Sequence, residues 1–309
     1  MIRYLGHDVI DEKKWDECIR NSFNGNLYGH FWFLDIVAGE WDALVEDDYK
    51  SVFPLPHRRK YGISYIYQPF FTQQLGLYSN SGLSQEATER FLGAIPKKFR
   101  HIETNLNIHN KVDEDRFRVL PQLNHELDLI HSYDQITNGY SENLRRNLKK
   151  SAKAGLTVMK NPRPDTIVNL FRQNRGKTIK HLDDHDYHKL LHIVYQGTYK
   201  GFADVRGVYD EYNQLVAGAF FLRSHKKATF LFSGLSEEGR AKAAMPFLID
   251  SYIRENAGKH LTFDFDGSND PNLSRFYKSF GSKEMTYQRV VINRLPLLAR
   301  AGYWLLKGR

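Results

Sequence analysis

The sequence predicts an α/β (α+β) fold of two tandem units, each a mixed, mostly antiparallel sheet flanked by helices. Three observations predict it. The second half alternates strand-length and helix-length segments in the order β-α-α-β-β-β-α-β-α-β-β. Its three central strands are joined by hairpin-length connections, and the first half repeats the order more loosely. A chain of 309 residues has room for two domains, and 41% hydrophobic with 14% aromatic residues supplies their cores.

The elements follow in turn. "IRYLG" reads as a strand and "DEKKWDECIRNS" as a helix, with a short helical piece around "HFWFLDIV". Strands "DALVED", "SVFPLPH" and "ISYIYQPF" come close together, then the helix "SQEATERFLGAI" and the strand "HIETNLNI". The boundary is placed near residue 131, giving units 1–130 and 131–293. In the second unit "LTVMKN" is a strand, and Asp165 is expected to cap a helix carrying Ile167, Leu170 and Phe171 at helical spacing. The next helix has the stripe Tyr187, Leu190, Leu191, Val194 and Tyr195. Strands "GFADVRGVYD", "LVAGAFFLRS" and "ATFLFSGL" are linked by the 210–214 turn and by "HKK" at 225–227. The loop "SEEGRAKAA" leads to the helix "MPFLIDSYIRENAG". A strand (261–266), a helix and a strand pair near "EMTYQRVVIN" complete the unit.

Forty-four Lys and Arg against 36 Asp and Glu give a formal charge of +8 and a pI near 9.3. That balance favours anionic partners without choosing among RNA, nucleotide cofactors and phosphorylated or membrane-bound substrates. The single cysteine, Cys18, excludes an intrachain disulfide and fits a reducing compartment. The N-terminus lacks an apolar core of signal-peptide length, and no apolar run reaches the roughly 20 residues a spanning helix needs. A cytoplasmic protein is expected. The C-terminal stretch "RLPLLARAGYWLLKGR" (294–309) reads as a closing helix, with the first unit as a surface to return to. A peripheral membrane contact is its alternative reading.

Residues 261–281, "LTFDFDGSNDPNLSRFYKSFG", hold the strongest candidate chemistry. Asp264 and Asp266 alternate with Leu261, Phe263 and Phe265, so a strand would turn both carboxylates to one face. Gly267 and Ser268 break it, and Asn269-Asp270-Pro271 opens a helix. A basic helix, "SENLRRNLKKSAKAG", starts at Ser141 and ends at Gly155. Its inward stripe is Leu144, Leu148 and Ala152, and Arg145, Arg146, Lys149, Lys150 and Lys153 carry its charge. Such a run is either a solvated face or a phosphate contact. His185, His188 and His192 share a helix flank but lack the HExxH arrangement, so a solvated face is the reading and no metal is expected. Cys18 reads as a buried structural thiol.

"YSENLRRNLKKSAKAGLTV", "QPFFTQQLGLYS" and "FDFDGSNDPNLSRFYKSFG", with the element order, resemble the FemABX-like aminoacyltransferases of the GNAT acyltransferase fold. The resemblance covers most of the chain and implies two GNAT-like units and transfer of an aminoacyl or acyl group to an amine. A peptidoglycan-precursor peptide is the implied acceptor, and acyl-coenzyme A or aminoacyl-tRNA the donor. It places Asp264 at a partly hydrated cleft and Tyr277 as proton donor to the leaving group. It assigns Gly239, Arg240, Ala241 and Lys242 to the donor loop. That loop departs from the family pattern, with Ser236 where Gln or Arg is preferred and with Glu237 and Glu238 intervening. Gln73, Gln74, Arg145, Asn147, Lys149 and Ser268 are the implied substrate contacts. The competing expectation is a non-catalytic module that keeps the fold and binds an anionic polymer or envelope precursor through the basic helix.

Overall fold

The computed structural model describes residues 1–179, 182–267 and 269–295. By internal contacts the chain divides into two units, Met1–Gln122 with the chain from Thr286 onward, and Leu123–Met285. The sequence reading places one boundary at 130/131; the cuts lie at 122/123 and 285/286. The expected C-terminal helix, 294–309, lies almost wholly outside the described residues.

The elements in chain order begin with β1 (Ile2–Leu5), α1 (Glu12–Asn21), α2 (Phe31–Ala38), β2 (Trp41–Glu46) and β3 (Ser51–Lys60). Next are β4 (Ile63–Ile66), β5 (Tyr78–Ser79), α3 (Gln85–Ala94) and β6 (Phe99–Asn105). β7 (Arg118–Asp128) runs through the first cut, followed by α4 (Tyr133–Asn138), α5 (Glu142–Ser151) and β8 (Thr157–Lys160). Then come α6 (Pro164–Gln173), α7 (Asp184–Tyr199), β9 (Ala203–Tyr209), β10 (Leu215–Ser224) and β11 (Lys227–Leu235). The chain closes with α8 (Glu237–Ala241), α9 (Ala244–Asn256), β12 (Thr262–Asp264), α10 (Pro271–Lys278) and β13 (Lys283–Asn293).

Local chemistry sets the helix starts of the first unit. Asp11 and Ser84 accept the amides of Lys14 and Ala87, each at 3.1 Å, and so begin α1 and α3. Its sheet has the order β1-β2-β3-β4-β6-β13, with β5 also on β3. All its pairs are antiparallel except β4 with β6. Phe53, Leu55, Phe91, Leu92, Phe99 and Ile102 fill the space between this sheet and α3.

One carboxylate is pinned in that unit. Asp42 on β2 accepts from the Tyr4 hydroxyl, and at 3.2 Å from the His7 amide. His57 Nε2 lies 3.0 Å from it and Lys98 Nζ 3.7 Å. Burial alone would raise its pKa, but the His57 and Tyr4 hydrogen bonds and nearby positive charge hold it down at about 2. A depressed carboxyl contributes stability that is present above its unfolded value of 3.8 and lost as pH falls through about 2. Asp42→Asn should therefore cost the unit about 1–2 kcal/mol at pH 7 after solvent screening, and only a small fraction of that near pH 2. Urea melts at both pH values check this, and a cost equal at both would contradict it.

The second unit has the order β7-β12-β11-β10-β9-β8, again antiparallel except for one pair, β11 with β12. Each unit thus contains one parallel pair, and in each a helix (α3 or α9) precedes the later strand of that pair. α6 and α7 cover one face of the second sheet through Ile167, Phe171, Leu190 and Val194. Phe171 meets Phe232 at 4.7 Å between ring centroids. On the other face Leu248, Ile249, Tyr252 and Ile253 of α9 pack with Phe221, Phe230, Phe263 and Phe265.

Several sequence expectations are corrected here. The last strand pair is one strand, β13, because no turn residue interrupts it. Arg163 is the cap of α6, Pro164 its first residue, and Asp165 sits within the first turn. On α7, Ile193 is buried while Tyr195 is half exposed and donates to Asp165 at 2.7 Å. The inward stripe of α5 is Leu144, Leu148 and buried Ser151; Ala152 is its exposed C-cap. The strand expected over 261–266 ends at Asp264. β7 and α4 are absent from the sequence reading altogether.

Candidate functional site

β11 and β12 pair only where Lys227, Ala228 and Thr229 face Thr262, Phe263 and Asp264. β11 then continues to Leu235, while the chain leaves β12 through Asp266 (φ 58°) and Gly267 (φ 78°). Asp270 accepts the amides of Asn272 and Leu273 and starts α10. From Phe230 onward the edge of β11 that faced β12 has no strand partner among the described residues. Two parallel strands that part at their carboxyl ends leave main-chain donors and acceptors open inside a sheet, where an extended ligand can pair with them.

Asp264 stands where the two strands part. It is 4% exposed, buried rather than partly hydrated as expected from the sequence. Its charge is tolerated because Lys227 Nζ lies 3.8 Å away. Lys227 also donates to Glu126 of β7, the residue in register with Asp264. Burial raises the Asp264 pKa, with the Glu126 charge adding and Lys227 opposing. Burial would lower the Lys227 pKa, but Asp264 and Glu126 outweigh it and raise it. Asp264 Oδ1 also accepts the Asp266 amide at 2.9 Å, and Asn124 accepts the Gly267 amide at 2.7 Å. The cluster therefore fixes the path by which the chain leaves the strand.

Tyr277 belongs to the other face of β12. Its ring packs 4.8 Å from Phe265 and 5.9 Å from His125, whereas the side chain of Asp264 meets Lys227 and Glu126. The structure does not bring Asp264 and Tyr277 together on one face. It brings Tyr277 within electrostatic reach of Asp266, Arg175 and Asp270 instead. Burial raises the phenol pKa well above its ordinary value, with Asp266 and Asp270 adding and Arg175 opposing. The hydroxyl has no hydrogen-bond partner among the described residues. Beside it, His125 Nε2 lies 3.0 Å from Ser274 Oγ, and burial and Lys278 lower the His125 pKa.

The donor loop is occupied by its own contacts. Ser236 caps α8 by accepting the Gly239 amide at 2.9 Å. A Cβ at Gly239 would lie 2.2 Å from the Val216 carbonyl oxygen, so close packing on β10 already requires glycine there. Lys242 Nζ is 2.8 Å from Glu238, 3.7 Å from Glu211 and 3.9 Å from Asp210. Arg240 and Ala241 are both exposed on the same short helix.

The substrate-contact candidates fall in several places. Arg145 donates to the carbonyls of Thr137, Asn138 and Tyr140, and so caps α4. Arg146, Lys149, Lys150 and Lys153 are exposed and have no acidic partner among the described residues; Asn147 is half-buried beside them. Gln73 and Gln74 lie in a loop of the first unit, held by bonds to Asn105 and Ile108. Ser268 lies outside the described residues. His185, His188 and His192 are exposed on α7, and no metal-holding group of His, Cys, Asp or Glu occurs among the described residues. Cys18 is buried, and burial lifts its thiol to about 11 against the Ser22 hydrogen bond.

Sequence reasoning missed Glu126, Asn124 and Lys227. Their strands meet only in the folded sheet, and Lys227 reads in sequence as part of a turn. The alternation of Leu123, His125 and Leu127 with Asn124 and Glu126 was the available signal for β7.

No protein-family model matches the chain, and no curated protein matches it. Solved structures do. FemX is similar with 14% identity and a TM-score of 0.67, over 93% of this chain and 97% of its own. The C-terminal domain of a putative lysylphosphatidylglycerol synthetase from Agrobacterium fabrum is similar at 13% identity and a TM-score of 0.55, over 96% and 94%. L-PGS from Bacillus licheniformis is similar at 12% and 0.54, over 94% of each chain. At these identities the likeness is one of fold. The chain has the FemABX-like GNAT acyltransferase fold, with mixed, mostly antiparallel strands flanked by helices.

Proposed function

We propose that the chain is an N-acyltransferase that moves an aminoacyl or acyl group to an amine acceptor at the open edge of β11. The observation that carries this reading is that edge, with a buried, protonated Tyr277 beside the strand that parts from it. The amine nitrogen attacks the donor carbonyl and forms the amide bond as the bond to the leaving oxygen or sulfur breaks. Tyr277 gives its proton to that leaving atom. The ammonium formed by attack loses a proton to Asp266, the first carboxylate acting on the phenol, which returns it to the phenolate. Asp264 takes a positioning role: with Lys227 and Glu126 it holds the Asp266-Gly267 turn in place.

The closed contacts of Ser236, Gly239 and Lys242 argue for a donor held elsewhere than a pyrophosphate loop. The bare cations of α5 favour an aminoacyl-tRNA. Fold-level likeness to FemX and to lysylphosphatidylglycerol synthetases supports an acceptor of the cell envelope, a peptidoglycan-precursor peptide among them. The same closed loop also suits the second reading, a non-catalytic module that binds an anionic polymer.

Incubation with aminoacyl-tRNA and acyl-coenzyme A pools and trapped amines, read by mass shift, should give amide product from the tRNA pool. Its KM should rise steeply with salt, and Arg146→Ala with Lys149→Ala should flatten that dependence. Salt-sensitive tRNA binding without product from either pool would favour the binding module. Product from coenzyme A alone would reject the tRNA donor.

A further inference from the structure

The hairpin of β3 and β4 carries a feature that transfer chemistry does not use. Arg58, Arg59 and Lys60 face Tyr65, Ser64 and Ile63 across it, and Tyr61-Gly62 forms its tip. Both tip residues have positive φ, 51° and 77°. A two-residue turn of this kind prefers Asn, Asp or Gly, and a bulky side chain there is strained. Tyr61 is nonetheless 81% exposed, so no packing within the unit compensates. Its side chain is presented outward.

The surroundings are cationic. Arg58, Arg59 and Lys60 are exposed, as is Arg100 on the neighbouring β6, and none has an acidic partner among the described residues. The acids at the hairpin base, Glu40 and Asp42, are directed at His57. The aromatic rings carry cations over their faces, Arg58 4.4 Å above Tyr67 and Lys60 5.4 Å from the Tyr61 centroid. An aromatic tip backed by cations is the arrangement of a bilayer interface, where tyrosine sits at headgroup depth and Lys and Arg meet anionic lipid. The spacing agrees, since residues one to three places behind the tip stand about 3–10 Å back. The polar layer of one leaflet is roughly 5–8 Å thick.

We propose that this hairpin docks the protein on the surface of an anionic lipid bilayer, with Tyr61 in the interface and Arg58, Arg59 and Lys60 on the headgroups. The proposal does not depend on the transfer reaction. The full chain should float with phosphatidylcholine vesicles containing 30 mol% phosphatidylglycerol (about a third anionic lipid), and not with pure phosphatidylcholine. Arg59→Glu with Lys60→Glu should weaken that binding at least about 25-fold, from about fivefold per charge removed. Its thermal melt should match wild type, because both side chains are exposed. Tyr61→Cys can be labelled selectively with an environment-sensitive dye, since Cys18 is buried. The dye should shift to the blue on anionic vesicles and not on tRNA. Unchanged vesicle binding by the folded charge variant, an unshifted dye on bound vesicles, or loss of tRNA binding alone would each overturn the proposal.

Discussion

Lys227→Met should destabilise the second unit by about 3–5 kcal/mol at pH 7.5, the largest stability effect expected of any single change described above. The substitution keeps the length and apolar stem of the side chain, so packing changes little. What it removes is the only cation paired to both Glu126 and Asp264 among the described residues. Asp264 is buried and Glu126 half-buried, and the two are cross-strand partners in register, where like charges repel directly. The variant should regain stability in acid. Its Asp264, freed of Lys227, would have a folded pKa raised further by burial and by Glu126. A raised carboxyl stabilises fully below its unfolded value of 3.8 and loses that contribution as pH climbs through the folded value. Urea melts at pH 5 and 7.5 should therefore show a smaller deficit at pH 5. Adding Asp264→Asn should recover part of the loss at pH 7.5. A deficit under about 1 kcal/mol would mean that the cluster is solvated and does not fix the strand end.

Tyr277→Phe should lower turnover about 10²- to 10⁴-fold while donor KM stays within a few-fold. Deleting one oxygen leaves the ring packed against Phe265 and near His125, so stability should hardly change. Because burial keeps the phenol protonated beyond the ordinary tyrosine range, wild-type kcat/KM should show no falling alkaline limb up to about pH 10. The rising limb should follow the acceptor amine. A variant with near-full activity would return Tyr277 to the apolar face it shares with Phe276 and Phe280.

The second half of the fold is legible because its strands are bounded by turn residues and its helices carry stripes such as Ile167, Leu170 and Phe171. β7 was not legible, since Pro121 and its polar residues Gln122, Asn124 and Glu126 resemble a loop. Missing β7 hid the charge partners of Asp264, and the carboxylate looked as if it needed water. Tyr277 and Asp266 could be named from one stretch of sequence, whereas their separation from the side chain of Asp264 could not. Alternation assigns faces within a strand, but which cation crosses from β11 depends on register. Gly239 shows the opposite limit. A glycine that reads as a donor-loop residue is also demanded by the Val216 carbonyl against which it packs.

The central claim is that Tyr277 protonates the leaving group at the parting of β11 and β12. The most direct measurement compares wild type and Tyr277→Phe across donors that share one acyl group and differ in leaving-group basicity, from a ribose ester to an aryl thioester. Losing a general acid hurts most where the departing atom most needs a proton. The variant's deficit should be about a hundredfold or more with the ribose ester and shrink to less than about tenfold with the aryl thioester. A deficit of the same size across the whole series would contradict the claim.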